Sequence, residues 1–218
     1  SNNPRQSVVR FKMKAQFEKI YKAAFGGNWT GEERESPEFW SDLRVTDSEG
    51  REFSGRVRAR GMSSLQEGEA KFPKLRVELG DNENLEGTLF DGSRNFRINT
   101  HLEDSPSSPL TEMGRLKGDL APYREGLAYD LAEGLRLLTP RTQRAVIEYE
   151  NLDTKKVTTH NALIIETNKK IKRRIEGEES EEFPRSGEED RIPIRIGALF
   201  HLYHVFIGNS DVGLRLHK

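Results

Sequence analysis

A chain of 218 residues with 35 basic and 36 acidic side chains has a net charge of −1, so no global field draws in nucleic acid or an anionic membrane surface. Its length is enough for a real core, in one large domain or two small lobes. Without cysteine it has no disulfide, thiolate metal site or cysteine nucleophile, and with 33% apolar and 33% charged residues the core is lean and the surface highly charged.

Val9, Phe11 and Met13 alternate with Arg10, Lys12 and Lys14, the period of a half-buried strand. Phe17, Ile20, Tyr21 and Ala24 then fall at helical spacing, and Gly26-Gly27 supplies a stop. Phe39 to Thr46 and Glu52 to Arg60 flank the turn Asp47-Ser48-Glu49-Gly50 and predict a hairpin. On its second arm Arg56, Arg58 and Arg60 share one face and run into Gly61-Met62-Ser63-Ser64. Two readings stay open for this row: a solvated strand face, or a set of cations beside a donor-rich loop that suits phosphate oxygens.

After Lys71-Phe72-Pro73, Leu75, Val77 and Leu79 alternate with Lys74, Arg76 and Glu78 as a strand, with Pro73 at its start. Asp91-Gly92 signals a turn, and Phe96, Ile98 and Thr100 alternate with Asn95, Arg97 and Asn99 as the next strand. Residues 101–118 read as a loop. A helix is predicted from Asp119, with Leu120, Leu127, Leu131, Leu135 and Leu138 as its apolar stripe and Glu125, Asp130 and Glu133 as its acids. Gly126 and Gly134 inside it point to close packing on a sheet.

Two strands follow, Thr142 to Glu150 and Thr159 to Thr167, the second apolar on both faces and therefore central. Lys169 to Arg174 and the acids between Glu176 and Asp190 form opposite charge blocks, the mark of a solvated linker. The acidic block beside the basic one argues against a nucleic-acid patch. A last helix places Ile192, Ile196, Leu199, Tyr203 and Phe206 on one stripe and delivers Gly208-Asn209-Ser210-Asp211. By itself that tetrapeptide is an ordinary turn. No stretch approaches the ~18 apolar residues of a membrane span, and the start lacks a signal-peptide pattern.

The order of these pieces is that of a protein-kinase-like N-lobe running into the start of a C-lobe. The predicted fold class is α+β, a mostly antiparallel sheet with packed helices: a lobe over 1–168, a charged linker over 169–190, and the first C-lobe helix and a catalytic-type loop over 191–218. The chain also resembles the spore-coat CotH type of atypical protein kinases. The residues that carry the resemblance are Arg58-Ala59-Arg60-Gly61-Met62-Ser63-Ser64, Phe72-Pro73-Lys74-Leu75-Arg76, Tyr123-Arg124-Glu125-Gly126-Leu127-Ala128-Tyr129, Arg141 to Tyr149, Asn161 to Glu166, and Phe206-Ile207-Gly208-Asn209-Ser210-Asp211.

The resemblance implies phosphate transfer from ATP, with Mg or Mn, to a Ser or Thr hydroxyl of a protein substrate. It implies Arg60, Ser63 and Ser64 beside the phosphates, Lys74 on phosphate oxygens with Glu125 orienting it, and Arg76 as a rival cation on the same face. Asp211 orients or deprotonates the acceptor hydroxyl, Asn209 and Asp211 hold metal, and Glu166 places hinge backbone against adenine. The resemblance also implies an exported or envelope setting. Two departures accompany it: Met62 replaces the family's polar residue after Arg-Gly, and the family's later metal-binding acid would lie beyond residue 218. Transfer by this chain alone is therefore expected to be slow or nil. The alternatives are a non-catalytic nucleotide-binding or protein-interaction module, pseudokinase-like, and an unrelated α+β interaction domain.

Overall fold

The structure is a computed structural model and describes residues 7–25, 33–60, 72–101, 121–135 and 137–177. It divides into two compact units, Ser1–Gly126 with Arg141–Thr167, and Leu127–Pro140 with Asn168–Lys218.

Seven strands build the first unit: β1 Val9–Ala15, β2 Trp40–Asp47, β3 Glu52–Arg60, β4 Lys74–Leu79, β5 Asn95–Asn99, β6 Thr142–Asn151 and β7 Val157–Ile165. They close into a barrel in the order β1-β2-β3-β4-β5-β7-β6. Six neighbouring pairs are antiparallel. The seam is different: β1 runs parallel to β6, from Val9 opposite Ala145 to Ala15 opposite Asn151. Lys12 bonds Glu148 at 3.1 Å and Lys14 bonds Glu150 at 2.8 Å across that seam. Each exposed pair adds only about 0.2–1 kcal/mol, but together they favour this register over a slip.

Alternation along β1 to β6 separates a filled interior from a charged exterior. Phe11 and Met13, Leu43 and Val45, Phe53 and Val57, Leu75 and Val77, Phe96 and Ile98, and Ala145 and Ile147 join one continuous core. Phe90, on the β4–β5 connection, plugs one end and meets Phe11, Phe53 and Phe96 with ring centroids 5.5 Å apart. That connection is shaped by Gly92, at φ +64°, and by Arg94, which donates to the carbonyls of Gly80 and Glu83. The other end is filled by Phe17, Phe72, Tyr149, His101 and His160, the two imidazoles stacked at 3.5 Å.

Helix α1, Phe17–Ala24, buries Phe17, Ile20 and Ala24, as its spacing predicts. Its first turn is anchored from afar, because Asp153 on the β6–β7 turn accepts from the Lys19 amide at 3.1 Å and from the Gln16 side chain at 3.2 Å. In the β2–β3 turn Gly50 takes φ +82°, and the buried Asp47 carboxylate accepts from the amides of Glu49 and Arg51 and from the Arg51 guanidinium, at 2.7–2.9 Å. The hairpin expected there is present.

Helix α2, Ala121–Gly134, passes from the first unit into the second, and helix α3, Asn168–Gly177, begins the charged segment. Of the leucine stripe predicted as core, Leu127, Leu131, Leu135 and Leu138 are exposed, whereas Leu120 lies outside the described residues.

The expected α+β fold, a kinase-like N-lobe with packed helices, is overturned: the first unit is a closed mixed barrel, mostly β. The strands were readable but their closure was not. An N-lobe reading leaves β1 at a sheet edge; here β1 finds a second partner more than a hundred residues away, and pairing at that range leaves no local mark on the sequence.

Candidate phosphate site on the barrel wall

Three adjacent strands end in polar residues on the outer face. Arg60 closes β3 opposite Lys74, which opens β4, and Asn99 closes β5 one strand further on. Their parity is set by inward Val57, Leu75 and Ile98, so their side chains face away from the core.

Glu125 reaches this row from α2. Tyr123 donates to the Ala145 carbonyl at 3.2 Å, and the Gly126 Cα comes so near the wall that an added Cβ would lie 3.0 Å from Leu163 Cδ1 and 3.6 Å from Arg144 Nε. The close approach anticipated for Gly126 is therefore real, and it also explains why β7 is apolar on both faces. The Asn99 amide nitrogen donates to Glu125 Oε2, the Arg60 guanidinium donates to Asn99 Oδ1, and Arg60 Nε donates to the Leu75 carbonyl at 3.2 Å.

Lys74 stands within the fields of both Glu125 and Arg60. Burial holds its ammonium below the ordinary lysine pKa, the Glu125 carboxylate opposes that, and the Arg60 guanidinium adds to it. Two cations and one carboxylate on a half-buried wall leave one positive charge over. An anion placed there would relieve the repulsion between Arg60 and Lys74.

The other arginines of the row have structural partners. Arg56 lies 4.1 Å and Arg58 5.3 Å from the Trp40 ring centroid. Arg56 bonds Glu78 at 2.6 Å and Arg58 bonds Glu35 at 3.2 Å. Arg76, the rival cation, is held by Glu78 at 2.8 Å and Glu35 at 3.5 Å, away from Glu125's network. Arg56 and Arg58 thus follow the reading of a solvated, ion-paired strand face, and the loop Gly61-Met62-Ser63-Ser64 that the other reading invoked lies outside the described residues.

Glu166 follows β7. Its carbonyl accepts from Arg97 Nε at 3.0 Å, its carboxylate accepts from the Arg141 amide at 3.0 Å, and its own amide donates to the Arg141 carbonyl at 3.0 Å. The structure brings together Arg60, Lys74 and Glu125; Ser63, Ser64, Asn209 and Asp211 lie outside the described residues. Asn99 was missed in sequence. Its signal was a polar residue at a strand's end, in the same parity as the predicted cations.

Among the described residues there is no group of three or more His, Asp or Glu able to hold a metal ion. Glu125, the acid of the site, is already engaged by Asn99 and Lys74. Asn209 and Asp211, the metal ligands that the resemblance implied, lie outside the described residues. No helix among the described residues is long and apolar enough to cross a membrane.

The fold is a closed mixed β-barrel whose outer wall carries the cluster Arg60, Lys74, Asn99 and Glu125. No protein-family model matches the chain, and no curated protein or solved structure is similar to it.

Proposed function

We propose that the Arg60–Lys74–Asn99–Glu125 wall binds the phosphates of ATP, and that the chain belongs to an ATP-dependent phosphotransferase acting on Ser or Thr hydroxyls of a protein. The observation that carries this reading is the half-buried Lys74, set between a carboxylate from a helix and a guanidinium from the next strand. Kinases use a Lys–Glu pair of this kind to aim a cation at phosphate oxygens. Asn99 holds both Glu125 and Arg60, so neither rotates away when the anion leaves. In this reading Asp211 takes the proton of the acceptor hydroxyl, and Asn209 and Asp211 would hold Mg or Mn, which would supply charge neutralisation.

ATP binding is measured by calorimetry, and transfer, expected to be slow for this chain alone, by long-incubation labelling with Mg or Mn present. Lys74→Met should weaken binding about tenfold or more, the loss of one charge-assisted contact. Asp211→Ala should keep binding within about twofold and remove labelling. Unchanged binding in Lys74→Met refutes the assignment. A second reading, nucleotide binding without transfer, is favoured by the lack of a metal-binding group among the described residues; binding with no labelling by either protein selects it.

A further inference from the structure

A cleft of about 360 Å³ opens between α1 and the β6–β7 turn, at the small end of the range for small-ligand pockets. Phe17 and Tyr149, both buried, and half-buried Phe72 form its aromatic base, while Tyr21 and Pro73 stand at its sides. Asn151 Oδ1 and Thr154 Oγ1 already accept from the Asp153 and Lys156 amides at 3.0 and 3.4 Å, which leaves the Asn151 amide nitrogen and the Thr154 and Thr158 hydroxyls to meet a ligand, and Lys156 brings a cation with no ion pair among the described residues. Lys22 also lines the cleft but is closed on Glu18 at 2.6 Å.

The cleft is built before any ligand arrives. Asp153 ties the β6–β7 turn to α1. Within the turn the Lys155 amide donates to Asn151 O at 2.8 Å and the Asn151 amide to Lys156 O at 2.9 Å. Pro73, at the cleft's edge, accepts from Thr100 Oγ1 at 2.9 Å, and the next residue is Lys74. Adjacent Cα atoms are about 3.8 Å apart, so the cleft and the cation wall share one piece of chain.

We propose that this cleft takes the base and ribose of a nucleotide whose phosphates lie on Arg60 and Lys74, an inference that rests on the phosphate reading above. Tyr21 and Phe72, the two lining rings that are not fully buried, suit a purine, and the amide and hydroxyl groups suit its edge and the ribose. The strand end at Glu166, where the resemblance to kinases places adenine, suits it less. There the Glu166 amide, carbonyl and carboxylate already bond Arg97 and Arg141, and a base would have to displace them.

Calorimetry with ATP, adenosine and inorganic tripolyphosphate separates the two halves of the site. Tyr21→Ala, and independently Lys156→Glu on the exposed turn, should each weaken ATP by about tenfold and leave tripolyphosphate within about twofold. Lys74→Met should weaken ATP and tripolyphosphate alike and leave adenosine unchanged. Lys156→Glu changes an exposed side chain, so it tests the cleft even where Tyr21→Ala fails to fold. ATP affinity unchanged in both cleft variants overturns the inference and leaves the phosphate reading standing. Adenosine binding that depends on Tyr21, with no tripolyphosphate binding, sinks the phosphate reading instead and keeps the cleft as a nucleoside site.

Discussion

Gly55→Ala should damage the barrel more than any other single-methyl addition among the described glycines. Gly55 sits opposite Leu79, inside the wall where β3 and β4 come closest. A Cβ built there would lie 2.8 Å from Leu79 Cα and nearer still to the Glu78 carbonyl oxygen. Ordinary carbon contacts begin near 3.5 Å, so the strands must part by more than half an ångström. Both obstructing atoms are backbone, and rotamer changes cannot relieve them. Parting the strands strains the β3–β4 ladder and loosens Leu79 in the core. Overpacking of this kind costs about 1–3 kcal/mol, and more where the backbone cannot yield. For a chain of this size 1 kcal/mol moves Tm by roughly 2–4 °C, so a fall of about 2–12 °C is expected in a thermal melt followed by circular dichroism. Gly50→Ala, at a position with open space but positive φ, is the control for backbone strain alone. A Gly55→Ala melt within about 1 °C of the parent would show that the strands are not in this register.

Other consequences are equally direct. Phe90→Ala empties one end of the barrel, where Phe90 meets three rings, and should cost about 3–5 kcal/mol in urea unfolding. For Asp47, burial raises the pKa but the Arg51 guanidinium and the Arg51 and Glu49 amides outweigh it, so the folded pKa is depressed. Its stabilisation is therefore full above the ordinary Asp pKa and is lost as pH falls through the folded value. Asp47→Asn should lower stability at pH 7, and the gap to the parent should close in acid; a gap constant from pH 7 to pH 2 refutes this. For Lys74 the folded pKa is depressed by burial and Arg60 against Glu125, so the unfolded chain binds the proton more readily and stability rises as pH climbs from the folded toward the unfolded value. Lys74→Met should then keep or raise Tm at neutral pH while ATP no longer stabilises the protein, and a lower Tm with retained ATP stabilisation contradicts the proposed role.

Much of the site was legible because strand parity is local. The alternation of Leu75 with Lys74 and Arg76, and of Ala59 with Arg58 and Arg60, assigns faces with no knowledge of the fold. It could not choose among residues on one face. Lys74 and Arg76 have the same parity, and only Glu35 and Glu78, brought in from a short 3-10 turn and the same strand, decide that Arg76 is a surface ion pair. Likewise Glu125, Asp130 and Glu133 are equal as acids on a predicted helix. Gly126 marked that helix for close packing, but which wall it meets, and hence that Glu125 bonds Asn99, depends on β5 and β7 lying side by side.

From sequence alone came the seven strands, α1 and the turn glycines, since each is written in spacing or type over a few positions, whereas Arg60, Lys74 and Glu125 were singled out by the family resemblance. Tertiary structure decided that the strands close into a barrel, that Phe72 and His101 fill one end of it, and that a cleft opens beside Pro73. The physical reason is range. Periodicity reports which way a side chain points within its own strand, whereas the parallel β1–β6 seam and the contact of Asp153 with α1 join residues more than a hundred positions apart. Such contacts are selected by the free energy of burying the whole core at once.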